Sequence, residues 1–228
     1  MQAPQGKEKI QREEDKIILD IVHDLGVVYA QQGKLEKAEQ MFIEALQEKE
    51  KAWGAEHTST LNTILDLGSL YTIQGKTEKA EQMLTRVLQG YKKAWGEENP
   101  ATLDAIRTLG LVYTEQGKIE EAEHMFVQAL QGYEKVWGEQ HPRTSEAVHN
   151  LAILYARQGK MEDAELMYVR ALEGYEKSVG LDYPDAQTAA RNLKKLRVKV
   201  EALSRQGLPR QCVDAGLGLD ENGEDKED

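Results

Sequence analysis

Apolar residues recur along this chain at three- and four-residue steps, and the rhythm stops and restarts at regular intervals. Between residues 100 and 116, Ile106, Leu109, Gly110 and Tyr113 make one stripe. From Ile119 a second begins, with Ala122, Met125, Phe126, Ala129 and Leu130. Steps of three and four place side chains on one face of a helix, so the pattern predicts two consecutive amphipathic helices. Asn99 suits an N-cap and Pro100 the first turn after it. Gly117 predicts the end of the first helix, where glycine alone enters the left-handed conformation cheaply. The second helix is expected to close near Trp137-Gly138, and a short loop leads to His141-Pro142, where another pair starts. Each helix should run roughly 16 to 19 residues, about 24 to 28 Å at 1.5 Å per residue.

The pair repeats. The tripeptide QGK recurs at Gly33, Gly75, Gly117 and Gly159, each 42 residues after the last. Tyr29, Tyr71, Tyr113 and Tyr155 keep the same step, as do Leu25, Leu67, Leu109 and Leu151. After each glycine come Ala38, Ala80, Ala122 and Ala164, each followed by glutamate, then Met41, Met83, Met125 and Met167. Trp53, Trp95 and Trp137 close three copies, with Val179 in the fourth. Glycine or alanine at 26, 68, 110 and 152, facing those alanines, predicts close approach of the two helices in each pair. A single pair would leave an apolar face wet, so the pairs must stack. The architecture predicted is an all-α solenoid of antiparallel helix pairs, with the tyrosines, methionines and tryptophans as its core.

Composition narrows the function. Hydrophobic residues are 40% and charged residues 30%, a globular balance. No apolar run approaches the ~18 residues of a membrane span, and the polar N-terminus MQAPQGKEKIQREEDK does not read as a signal peptide, so a cytoplasmic protein with no membrane contact is expected. The net charge is −11, and residues 212–228, with seven acids against Lys226, account for −6 of it. Nothing resembles the basic footprint that a phosphate backbone requires, so no nucleic-acid partner is expected. The lone Cys212 has no partner for an internal disulfide and reads as an incidental thiol. The five histidines, at 23, 57, 124, 141 and 149, show no metal-ligand spacing, and His141 before Pro142 suits a helix start. No nucleophile elbow, phosphate loop or CxxC pair occurs. No enzyme activity, cofactor or metal is expected.

Leu-Gly-x-x-Tyr, then Gly-Lys, then Ala-Glu-x-Met-Phe-x-x-Ala-Leu resembles the tetratricopeptide repeat. The 42-residue form with Trp-Gly-x-x-x-Pro between pairs is similar to the repeats of kinesin light chains, and to repeat tails of nucleotide-binding signalling proteins in fungi and bacteria. The resemblance spans residues 16 to about 200 and implies a right-handed superhelix that binds proteins, without naming the partner. Neither a heptad coiled coil nor a GxxxxGK[ST] loop occurs in these residues. The expected organisation is an N-terminal extension over 1–15, repeats at 16–57, 58–99, 100–141 and 142–183, a capping helix at 184–205 and a disordered acidic tail at 206–228. Because Gln5–Lys9 (QGKEK) aligns one period ahead of Gln47–Lys51 (QEKEK), the extension is expected to be the remnant of an upstream repeat, and the chain a shortened relative or fragment of a longer array.

The family resemblance also implies a groove on the first helix of each pair. Its positions carry Asp20, His23, Asp24, Val27 and Gln31 in the first copy, then Asn62, Leu65, Asp66, Ser69 and Ile73 in the second. The third supplies Asp104, Arg107, Thr108, Leu111 and Glu115, the fourth Glu146, His149, Asn150, Ile153 and Arg157, and the capping helix Arg191, Asn192 and Lys195. Val27, Leu65, Ile73, Leu111 and Ile153 are apolar where solvent is expected, as a peptide groove requires. Aspartates gather in the first copies, and His149, Arg157, Arg191 and Lys195 in the last, so a bound segment is expected to point its acidic end towards the C-terminal copies. The aspartates would repel the carboxylate that chaperone-binding relatives grip, which argues against that role. The expected function is a non-catalytic scaffold holding a partner peptide or helix, an adaptor of kinesin-light-chain kind. The alternatives are the sensing repeats of a nucleotide-binding (NB-ARC or NACHT-type) signalling protein, and an array that self-associates through its N-terminal face.

Overall fold

The computed structural model describes residues 3–205, with side chains from residue 16 onward. The acidic tail expected over 206–228, Cys212 within it, and the side chains of the N-terminal extension lie outside the described residues. All described elements are helices: α1 (Ala3–Gln31), α2 (Leu35–Trp53), α3 (Thr58–Ile73), α4 (Thr77–Trp95), α5 (Pro100–Glu115), α6 (Ile119–Trp137), α7 (Pro142–Arg157), α8 (Met161–Ser178) and α9 (Pro184–Arg205). No break separates residues 3–15 from the rest of α1.

The chain divides into two compact units, Met1–Gly96 and Glu97–Asp228. In the first, α1 packs on α2, α2 on α3 and α3 on α4. In the second the same succession runs from α5 to α9. First helices touch one another, α1 against α3 and α7 against both α5 and α9, whereas α2 and α4, or α6 and α8, do not. Within each unit the first helices therefore form the tighter, inner layer and the second helices the splayed, outer one.

Local chemistry explains these elements. Asn99 accepts from the Ala101 N–H at 2.9 Å, and His57 and His141 accept through Nδ1 from the N–H groups of Ser59 and Arg143, both at 3.2 Å. These residues are side-chain N-caps, the role expected of Asn99 and compatible with that of His141. Gly117 stands at φ 73°, and a Cβ there would meet nothing within 4 Å, so conformation rather than space requires the glycine. Gly110 is the opposite case: a Cβ would lie 2.6 Å from Phe126 Cε1, so its requirement is the close approach of α5 and α6.

The core differs from expectation in which large residues fill it. The fully buried ones include Phe42, Leu84, Phe126 and Tyr168, one place after Met41, Met83, Met125 and Met167, and Tyr91, Tyr133 and Tyr175 near the ends of the second helices. Met41, Met83, Met125 and Met167 are only half-buried. Trp95 and Trp137, expected in the core, are 40% and 36% exposed. Both end a second helix; the Trp95 ring lies against Tyr91 of its own helix, and the Trp137 ring stacks on the His141 cap with centroids 4.4 Å apart. Leu25, equivalent to Leu67, is 40% exposed because no neighbouring described side chain covers that side of α1.

The repeat motif also has a polar logic. Glu39 receives the Gln74 amide at 3.1 Å and the Lys76 ammonium at 2.8 Å, both from the QGK turn of the next copy. Glu123 is reached in the same way by Tyr155 and Gln158, each at 3.2 Å. Each QGK lysine also lies over the tyrosine ring of its own first helix, Lys118 at 5.2 Å from the Tyr113 centroid. Within each unit the Ala-Glu and Gln-Gly-Lys motifs thus form a latch between one pair and the next.

Candidate protein-binding face

The inner layer of each unit carries the positions expected to line a groove. In the first unit, Asp20 faces Lys49 from α2, its Oδ1 3.0 Å from the ammonium, and the lysine side chain is almost wholly buried. Ser59 donates to the same oxygen at 3.3 Å. His23 Nε2 lies 3.2 Å from Asp66 Oδ2, and its Nδ1 lies 3.2 Å from the Thr63 hydroxyl. Burial lowers the His23 pKa and nearby Lys49 adds to the effect, while burial pushes Asp66 up to about 6. Both shifts disfavour charge, so near neutral pH the contact is a hydrogen bond from a neutral ring rather than an ion pair. Asp24 and Gln31 are exposed, Val27, Leu65 and Ser69 are half-buried, and Ile73 is 61% exposed.

The second unit presents a more self-neutralised face. Asp104 accepts from the Tyr133 hydroxyl at 2.6 Å, and Arg143 approaches it at 3.7 Å. Arg107 and Glu146 pair at 3.0 Å, Arg143 also meets Glu146 at 3.3 Å, and Arg157 meets Glu115 at 3.1 Å. Thr108 turns back to its own helix, donating to the Asp104 carbonyl at 2.8 Å, and Leu111 is half-buried. Arg191 is half-buried and Lys195 exposed.

Four expected groove residues do not reach solvent. His149, Asn150, Ile153 and Asn192 are 4%, 6%, 1% and 0% exposed. The cause is α9, which packs on both α7 and α8 and closes over the last copy. Asn192 Nδ2 comes within 3.4 Å of His149 Nε2, and the His149 ring lies 5.6 Å from that of Tyr168. Burial drives the His149 pKa down to about 4, so it contributes no cation to a basic end. Arg157 meets a carboxylate of its own unit. The electrostatic contrast expected along the array is weaker than the residue types suggested.

The structure also shows a role that reading single positions missed. Asp20, Asn62 and Asp104 each accept from a residue 29 positions later on the paired helix: Lys49, Tyr91 and Tyr133. An acceptor at 20, 62, 104 and 146, matched by Lys49, Tyr91, Tyr133 and Tyr175, was visible in the repeat as a constant spacing. Asp20, Asn62 and Asp104 tie their pairs together as well as bordering the face, whereas in the fourth copy the buried Tyr175 hydroxyl makes no such bond.

Among the described residues, no group of three His, Cys, Asp or Glu side chains is placed to hold a metal ion, and no helix is long and apolar enough to cross a membrane. The sequence profile of the tetratricopeptide repeat matches residues 18–93 and 101–177. This chain belongs to the tetratricopeptide repeat family, a class of repeat typically used as a protein-interaction scaffold. Comparison with curated protein sequences returns no match. Solved structures share the fold. BtubC (BKLC) from P. vanneervenii is 21% identical with a TM-score of 0.66, over 88% of each chain. The nearly identical TPR-like repeats assigned to a kinesin light chain of Podosopora anserina are 22% identical, with a TM-score of 0.68 over 85% of this chain and 92% of that one. A Rap protein complexed with Competence and Sporulation Factor is 14% identical, with a TM-score of 0.68 over 81% of this chain and 49% of that one.

Proposed function

We propose that the chain is a non-catalytic scaffold that holds a segment of another protein on its first-helix faces, in the manner of an adaptor. The observation carrying this reading is the α1/α3 face. Val27, Leu65 and Ile73 keep apolar surface in solvent there, beside the carboxylates of Asp24 and Asp66, while Leu67 and Leu70 on the same helix are 2% exposed. Leaving an isoleucine 61% exposed in an inner layer forgoes stabilisation that a partner side chain restores. The chemistry selects an extended or helical segment with spaced aliphatic residues and a lysine or arginine flank. That the same fold occurs in a Rap protein complexed with Competence and Sporulation Factor supports the reading by analogy.

Selection from a random peptide display library, followed by fluorescence titration, tests it. Selected segments should carry that pattern and bind Leu65→Asp/Ile73→Asp at least about tenfold more weakly, the loss of one buried aliphatic contact or more. Leu166→Asp, an exposed position on α8, should bind as wild type. Equal binding by the double variant removes the reading.

A further inference from the structure

We propose that two copies of this chain associate through α1, whose outer stripe seats the same stripe of a second copy; the proposal stands independently of the groove. Ile17, Ile18, Ile21, Leu25 and Val28 lie along one side of the helix and are 59%, 56%, 59%, 40% and 43% exposed. In the other first helices this side is covered: Leu67, Leu151 and Leu193, the equivalents of Leu25, are 2%, 2% and 6% exposed. The stripe is therefore a helix-receiving face.

Its residues show what it receives. Where α3, α7 and α9 are covered, the equivalents of Ile18 and Ile21 are small: Thr60 and Thr63, Thr144 and Ala147, Ala186 and Ala189, all fully buried. Small residues let a neighbouring helix of the array close in. Isoleucines at both places hold such a helix off, so α1 does not offer the seat that successive pairs use. A helix bearing large aliphatic residues, packing at an interaxial distance of about 10 Å, fits instead.

A second α1 is such a helix. Ile17, Ile21 and Leu25 stand four residues apart on one ridge, and ridges of this type interdigitate with their own kind. In an antiparallel pair with its two-fold axis at Ile21, Ile17 of each copy lies over Leu25 of the other. Among the described residues the stripe itself carries no charge, and Asp24 stands exposed at its edge. Its exposed apolar surface is on the order of 400 Å² per copy, so the doubled patch with its rim sits near the lower limit of specific interfaces. Association is accordingly weak and concentration-dependent.

Sedimentation velocity from low to high micromolar concentration should show the mass rising from 25.7 kDa towards twice that value. Ile18→Glu/Ile21→Glu should remain at 25.7 kDa throughout, with an unchanged helical circular-dichroism spectrum. A Cys212→Ser/Ile21→Cys variant should oxidise to a covalent dimer, whereas Cys212→Ser/Leu166→Cys should not. A wild-type mass that never rises overturns the proposal, and so does a double variant that dimerises like wild type. Growth beyond a dimer overturns it as well, because a two-fold pair closes on itself.

Discussion

Burial of the His149 ring holds its pKa at about 4, against about 6.5 for the same side chain in the unfolded chain. Between these values the unfolded chain takes up a proton that the fold refuses, so this contribution is complete above pH 6.5 and is lost as pH falls towards 4. At 1.36 kcal/mol per unit the loss is about 3 kcal/mol. Thermal unfolding followed by circular dichroism at pH 7 and pH 4.5 should show the second unit weakening, and His149→Leu should flatten that dependence. The variant will be less stable at pH 7, because the Asn192 amide loses its contact with the His149 ring. In the first unit the effects oppose: lowered His23 acts like His149, while Asp66, raised to about 6, binds its proton earlier in the fold and gains stability as pH falls from 6 towards 3.8. The Lys49–Asp20 tie gives a second residue-scale prediction. Asp20→Ala strands a buried ammonium and should cost about 2 kcal/mol, below the 3–5 kcal/mol of fully buried pairs because Asp20 is 47% exposed. Lys49→Tyr, restoring the residue of the other copies, should be tolerated; urea unfolding of both variants checks the pair.

Two glycines separate the requirements acting on elements. Gly117→Ala meets no obstacle in space but must hold φ 73°, and should cost about 1 kcal/mol by urea denaturation. Gly110→Ala has an ordinary helical backbone but drives a methyl into the Phe126 ring, and should cost about 1–3 kcal/mol. Both positions were legible in the sequence, as were the helix starts at Asn99-Pro100 and His141-Pro142, because caps, turns and periodic stripes are local chemistry. What was not legible depends on what lies across an interface. The register that leaves Val27 half-buried in α1 buries Ile153 in α7, since α9 covers only the last copy. Likewise Arg107 and Arg157 read as groove residues until Glu146 and Glu115 are seen facing them. A residue type states what a side chain can do; its neighbours decide whether it remains available.

At the scale of the whole molecule, pairs that cannot bury their apolar faces alone are joined, within each unit, by stacking and by the Ala-Glu to Gln-Gly-Lys latch. Glu123→Ala should strip Tyr155 and Gln158 of a shared acceptor and raise hydrogen exchange at the α6–α7 contact more than at α8–α9. Stacking in the first unit leaves apolar surface in solvent on the inner α1/α3 face, read as a partner seat, and on the α1 stripe from Ile17 to Val28, read as a self-association seat. The inner face is the more consequential, and hydrogen exchange measured with and without a saturating display-selected segment tests it most directly. Protection should rise along α1 and α3 and stay unchanged in the outer helices α2 and α4. Protection confined to α2 and α4, or no selectable segment at all, would contradict the reading of this protein as a scaffold that works through its first helices.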